Sequence, residues 1–307
     1  MALQVRSEAA LTRLIDPAAE PALLGGRFEF SEGPVWNARE NRLYFHDIPG
    51  DARWRWSADE GLSEDLSPTF KGNGMAYDLG GNLLVCEQTS SCVSRYGPDG
   101  RREVIASHFR GEELNSPNDV VARASDGSIY FTDPDYGRWN DWIGLEREPR
   151  SRLGFKGLYR LPPGGGEPQL VVEEDEFDEP NGLCFSPDET LMYVNDSPRA
   201  HVKVFDVAED GSLVEGRMLY DGMGSGEVKG GVDGMECDEH GNVWTTGPGG
   251  VWIITPAGEL LGLLETSEVC GSLAWGGPDL RTLFLTTTTT LHAVPTLVRS
   301  ARVPGNH

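Results

Sequence analysis

Six segments of this chain repeat one pattern, and a repeat of that length admits few folds. Each has a polar or small opening residue, a short apolar run, a turn rich in Asp, Gly and Asn, and a second apolar run. The segments open at Glu32 (EGPVWNARENRLYFHDIPG), Asn73 (NGMAYDLGGNLLVCEQ), Asn118 (NDVVARASDGSIYFTDPDYG), Asn181 (NGLCFSPDETLMYVNDS), Asp233 (DGMECDEHGNVWTTG) and Gly271 (GSLAWGGPDLRTLFLTT). Successive openings lie 41, 45, 63, 52 and 38 residues apart. About 40 to 45 residues is the length of a propeller blade of four short strands. Alternation in SIYFTD, LMYVND and NVWTTG marks second strands. GLYRLPP, VKVFDVAEDG and GVWIITPAGE read as third strands closed by turn residues. The expected fold is all-β, a six-bladed β-propeller, whose ring leaves few free sheet edges. A β-sandwich would not call for six similar units.

The 307 residues are long for one domain, yet no Pro/Ser-rich linker divides them, and 39 Gly and 20 Pro suit many tight turns. The reading is an N-terminal extension over 1–24, helical at 6–15 (RSEAALTRLI), and one propeller over 25–295. An insertion lies near 137–156, and a C-terminal tail over 296–307 ends in ARVPGNH, which is expected to be disordered.

The opening positions carry the chemistry. In a propeller the innermost strand of each blade lines the central channel, so equivalent positions converge on the axis. Glu32, Asn73, Asn118, Asn181 and Asp233 would then present two carboxylates and three amides to one point. Asn-Gly and Asp-Gly alone signal turns, but these five head apolar strands at one register. Such oxygens are hard ligands suited to Ca²⁺, Mg²⁺ or Mn²⁺. No His or Cys stands among them, which disfavours an imidazole or thiolate zinc site.

Charge narrows the partners. With 49 acidic and 26 basic residues, net −23, the chain is a poor ligand for nucleic acid or anionic membrane. No stretch nears the roughly 20 apolar residues of a membrane helix, and the first 26 residues contain no signal-peptide apolar core. The five cysteines (86, 92, 184, 237, 270) form no C-x-x-C pair and read as small reduced core residues. A cytoplasmic location is expected. No nucleophile-elbow, P-loop or dinucleotide motif is present.

The blocks SEGPVW, NSPNDVV, IYFTDPDYG, EPNGLCFSPDETLMYVNDS and VDGMECDEHGNVW together resemble the gluconolactonase / SMP-30 / regucalcin-like family, its bacterial gluconolactonase branch above all, over residues 25 to 295. The resemblance implies a six-bladed propeller with one divalent cation, commonly calcium, that opens a sugar lactone. It carries the metal ligands onto Glu32, Asn181 and Asp233, with Asn118 a direct or water-linked neighbour. One departure stands out: animal members have Arg two positions before Asn118, where this chain has Ser116.

The expected chemistry is hydrolysis of a gluconolactone-type cyclic ester to the aldonic acid. Asp233 is the general base, and the cation stabilises the oxyanion. Asn73, Asn118, Asp133, Tyr136 and Asn195 are the expected substrate contacts, with Glu87 a weaker one. Asp133 and Asn195 also suit plain backbone bonding at strand ends. In the insertion, Trp139 and Trp142 either cover a sugar ring or pack on the rim. Besides calcium, the oxygen ligands admit magnesium, manganese or zinc. A phosphotriesterase or fluorophosphatase on the same scaffold, and a non-catalytic calcium-binding propeller, are the alternatives. No motif separates gluconolactone from xylonolactone or specifies the oligomeric state.

Overall fold

The computed structural model describes residues 4–5, 11–139, 151–224 and 227–301. Six antiparallel sheets of four or five strands form the blades, and a separate two-stranded ribbon, His108–Phe109 with Glu112–Glu113, precedes the third. The first four blades begin with Ser31–Asn37, Gly72–Tyr77, Val120–Ala122 and Pro180–Phe185; the last two begin with Met235–Cys237 and Cys270–Gly276. This is the expected six-bladed β-propeller.

The last blade closes the ring with distant sequence. Its outer strand is Ala22–Gly26, paired with Thr290–Pro295. The boundary placed after residue 24 therefore falls inside a strand, and residues 22–24 are part of the propeller sheet. Periodicity missed it because a five-residue edge strand with one half exposed carries little pattern. Gln4–Val5 adds a fifth strand to the fifth blade.

The helix expected over 6–15 is a 3₁₀ turn at Leu11–Arg13 among the described residues, 6–10 lying outside them. Leu11, Leu14 and Ile15 plug the seam between the last two blades, against Trp244, Leu273 and Trp275. Among the described residues the tail packs back on the propeller. Val298 is buried, Leu297 N–H donates to Leu14 O, and Ala301 N–H donates to Cys237 O. Of ARVPGNH, only the alanine lies among the described residues.

The core is a ring of seams between blades. Leu84, Cys86 and Val93 of the second blade meet Ile129, Phe131 and Tyr159 of the third. Trp36 of the first stacks on Phe284 of the last at 5.6 Å. All five cysteines are buried and unpaired, as expected. Among the described residues no helix is long and apolar enough to cross a membrane.

Glycine follows four of the openers (Glu32, Asn73, Asn181 and Asp233), and the close approach of the inner strands accounts for it. A Cβ on Gly33 would lie 2.1 Å from Asn73 O, and one on Gly182 2.3 Å from Asp233 O. Gly33 also has φ +57°, a left-handed conformation that favours glycine.

Candidate active site and metal centre

The inner strands aim their opening side chains by a recurring irregularity. Pairing with the second strand shifts register between Glu32 and Val35, Gly72 and Met75, Pro180 and Leu183, and Cys270 and Ser272. An extra residue at a bulge re-aims a side chain, and here the shifts flank Glu32, Asn73, Asn181 and Gly271. In the third and fifth blades, Asn118 and Asp233 stand just before the strand. Asn118 N–H donates to Thr132 O, and Gly234 O accepts from Thr246 N–H.

All five polar openers line one cavity of about 270 Å³ at an end of the axis. Phe30, Ile48, Val232, Tyr136 and Trp139 form its apolar wall, and Gln88 and Ser197 add polar groups. Its size is at the small end of small-molecule sites. The sixth opener is Gly271 for a steric reason: a Cβ there would lie 2.0 Å from Glu32 Oε1. The last blade thus makes room for the first blade's carboxylate.

Burial and mutual repulsion disfavour the ionised carboxylates of the ring. Burial, then the negative charge of Asp233, pushes the Glu32 carboxyl well above its ordinary range. Burial raises Asp233 to about 8, with the charge of Asp119 adding to it and Asn181 opposing it. Glu32 Oε2 accepts from Gly33 N–H at 2.9 Å, whereas Oε1 is buried and receives no hydrogen bond. Burial holds Asp119 at about 7 and Glu236 at about 8, where the channel continues past the ring.

For all these acids the folded pKa lies above the unfolded one. Their stabilising contribution is full below pH 4 and is lost as pH rises through about 7 to 8. In chelator, the melting temperature is therefore expected to fall by about 5 °C or more between pH 5 and pH 9. Thermal denaturation across that range checks it; a metal-free protein that gains stability with rising pH overturns the reading.

Second-strand residues hold the ring in place. Asp133 lies outside the cavity: its carboxylate accepts from Asn115 and Ser116 N–H, both at 2.8 Å, and so shapes the turn that delivers Asn118. Asp47 does the same for Glu29 and Phe30, and Asp196 for Asp178 and Glu179. Asn195 is likewise absent from the lining. Its Oδ1 accepts from Gly182 N–H at 3.0 Å, and its Nδ2 donates to Asp233 O at 2.5 Å. Both residues meet backbone, as short polar side chains at strand ends tend to.

Glu87 is buried behind the second blade, gripped by Arg102 and Tyr96; its neighbour Gln88 is the residue that reaches the cavity. Alternation along LLVCEQ indicates that one of the two faces inward, without telling which. Ser197, which sequence reasoning missed, accepts from Asn181 Nδ2 at 3.1 Å and donates to Val232 O. It ties together the elements carrying Asn181 and Asp233. Ser116, the departure noted above, accepts from Gly137 N–H at 2.7 Å and anchors the turn that presents Tyr136. Trp142 lies outside the described residues.

Among the described residues no three of His, Cys, Asp and Glu gather as a metal cluster. The ring instead offers two carboxylates with amide oxygens, a donor set for a hard divalent cation. Two like charges in a buried ring, one with a carboxylate oxygen that receives no hydrogen bond, fit such an ion.

Fold and site define a class: a six-bladed propeller with an oxygen-donor ring at one mouth of its axis. Within that class the chain belongs to the SMP-30/gluconolactonase/LRE-like family, whose model matches residues 30–289. A gluconolactonase of Zymomonas mobilis is 32% identical over 274 residues, covering 83% of this chain and 75% of that protein. A 6-deoxy-6-sulfogluconolactonase of Pseudomonas putida is 29% identical over 272 residues, covering 87% and 84%. A solved Xanthomonas campestris protein, described as a gluconolactonase, superimposes with a TM-score of 0.86 at 29% identity, covering 96% and 95% of the two chains.

Proposed function

We propose that this chain is a lactonase that opens a gluconolactone-type sugar lactone to the aldonic acid, using one divalent cation. The observation that supports it most directly is that Glu32, Asn118, Asn181 and Asp233, from four blades, line one small cavity. Relatives named for lactone hydrolysis support the reaction class.

Glu32, Asn181 and Asp233 would hold the ion, with Asn118 beside them; calcium is the first choice, then magnesium, manganese and zinc. When bound, it supplies Lewis-acid polarisation of the ester carbonyl and charge opposite the developing oxyanion. Asp233 then has a carboxylate oxygen for general-base work: it accepts a proton from the attacking water as the carbon–oxygen bond forms. The protonated Asp233 returns that proton to the ring oxygen as the ester bond breaks. The products are one carboxyl and one hydroxyl group, with the atoms of water accounted for. Asn73, Asn118 and Tyr136 contact substrate hydroxyls, joined by Gln88. Asp133 and Asn195 act through the backbone they hold.

Hydrolysis of glucono-1,5-lactone, compared with a fluorophosphonate and measured with and without chelator, tests the reading. Chelator-sensitive turnover of the lactone, well above that of the fluorophosphonate, is expected. The reverse preference would transfer the site to phosphotriester chemistry, and no turnover of either would favour a calcium-binding propeller without catalysis.

Gly271 provides a steric test of the metal centre. Gly271→Ala drives a methyl group into the Glu32 carboxylate and is expected to weaken Ca²⁺ binding about tenfold or more, read by titration calorimetry. Unchanged affinity would remove Glu32 from the ligand set.

A further inference from the structure

We infer that Trp139 is the specificity-determining wall of this cavity, an aromatic face held in place to pack on the C–H face of a cyclic sugar ester; the inference rests on the lactonase reading above. Among the described residues Trp139 is the one tryptophan classed as exposed, at 49%, and it lines the cavity that holds the oxygen ring. Together with Phe30, Ile48 and Val232 it makes a continuous apolar wall opposite the polar ring, the kind of lining that small-molecule sites use.

Trp139 is also held by its neighbours. Its indole Nε1–H donates to Asp135 Oδ1 at 2.7 Å. Asp135 is pinned in turn, since Lys156 Nζ lies 3.4 Å from its Oδ2 and 2.7 Å from Glu179 Oε1. Glu179 Oε2 accepts from the Asp135 backbone N–H at 3.1 Å, which closes the circuit. On the other side Trp139 meets Tyr136 edge to face, with ring centroids 4.9 Å apart and planes at 87°. Tyr136 follows directly on Asp135, and Arg138, which donates to Asn115 O and Leu114 O, ties the same turn to the propeller.

A surface tryptophan ordinarily keeps its rotamer freedom until a ligand arrives. Here the hydrogen bond and the edge contact favour one orientation beforehand, so less ordering entropy opposes binding. The indole bonds through its N–H edge to Asp135, which leaves the surface away from Tyr136 for a ligand. A sugar lactone has the matching surface: hydroxyls for the ring of amides at the floor, and axial C–H groups for an aromatic face. The apolar neighbours Phe30 and Ile48 extend that wall.

Trp139 has no part in holding the ion or moving a proton and acts on binding, so its loss is expected in KM and not in kcat. Trp139→Ala is expected to raise KM for glucono-1,5-lactone about tenfold, with kcat held within about threefold. Trp139→Phe keeps a smaller ring without the N–H, and Asp135→Ala frees the indole; each is expected to raise KM about threefold. Ca²⁺ affinity by calorimetry should match wild type in all three. Should the alanine variant fail to fold, the other two carry the test. Wild-type KM in the folded variants, with active wild type, overturns the role of Trp139 alone. A wild type with no lactonase activity overturns the underlying function and this inference with it.

Discussion

Asp233→Asn is expected to reduce lactone turnover by about a thousandfold, while the protein remains folded. The substitution keeps the shape of the side chain and removes its ability to take a proton. It also removes one of the two carboxylates that oppose the cation's charge. Folding survives because the fifth blade is held by contacts elsewhere: Trp244 and Ile253 are fully buried in its seam, and Asn195 Nδ2 bonds the backbone oxygen of residue 233, which the substitution preserves. The variant is even relieved of an acid whose burial raises it to about 8, so its metal-free melting temperature should equal or exceed that of wild type. Initial rates on glucono-1,5-lactone together with a thermal melt check both halves. Turnover equal to wild type would end the general-base assignment.

Exhaustive chelation is expected to lower lactone turnover to about one hundredth or less, and added Ca²⁺ to restore it. The prediction rests on the donor set. Glu32 Oε1 receives no hydrogen bond, and its carboxyl is pushed up by burial and by Asp233. A bound cation reverses both effects at once, favouring the ionised form of each carboxylate. Chelated protein should therefore lose activity and, at pH 8 to 9, also stability, and the cation should return both. Adding Mg²⁺, Mn²⁺ and Zn²⁺ in turn to the chelated enzyme ranks the ions. Full activity after chelation, with bound metal shown absent by elemental analysis, would overturn the metal-dependent reading and leave Asp233 acting alone.

The two experiments separate the roles of one residue. A pure ligand loss in Asp233→Asn is rescued in part by high Ca²⁺, whereas loss of the base is not. Little recovery at saturating metal is the expected pattern.

Much of this molecule was legible before any fold was known, and the reason is periodicity. Six similar units specify six blades, because each unit can bury its apolar faces only against copies of itself. That same register placed Glu32, Asn73, Asn118, Asn181 and Asp233 on one axis, and all five line one cavity. Gly271 belonged to the same register but looked like a gap in the pattern. Its meaning lies in the space it leaves for Glu32, a contact between the first and last blades that no local window contains.

Where the sequence reading strayed, alternation or spacing met a tertiary alternative it could not see. Asp133 and Asn195 end second strands in phase with the site, yet their partners are the backbone of Asn115, Ser116, Gly182 and Asp233. A strand-end carboxylate has the same pattern whether it faces a ligand or a turn. Ser197 and Gln88 enter the cavity without any motif to announce them.

The chain's own order of residues determined the fold class, the number of blades and the ring of oxygens, since those follow from local strand patterns repeated at one register. Only the closed ring decided which polar side chains face the ligand cavity and which hold backbone, that Ala22–Gly26 completes the last blade, and that Trp139 stands pinned at the mouth. Those outcomes depend on contacts between residues far apart in sequence, and such contacts exist only once the blades have met.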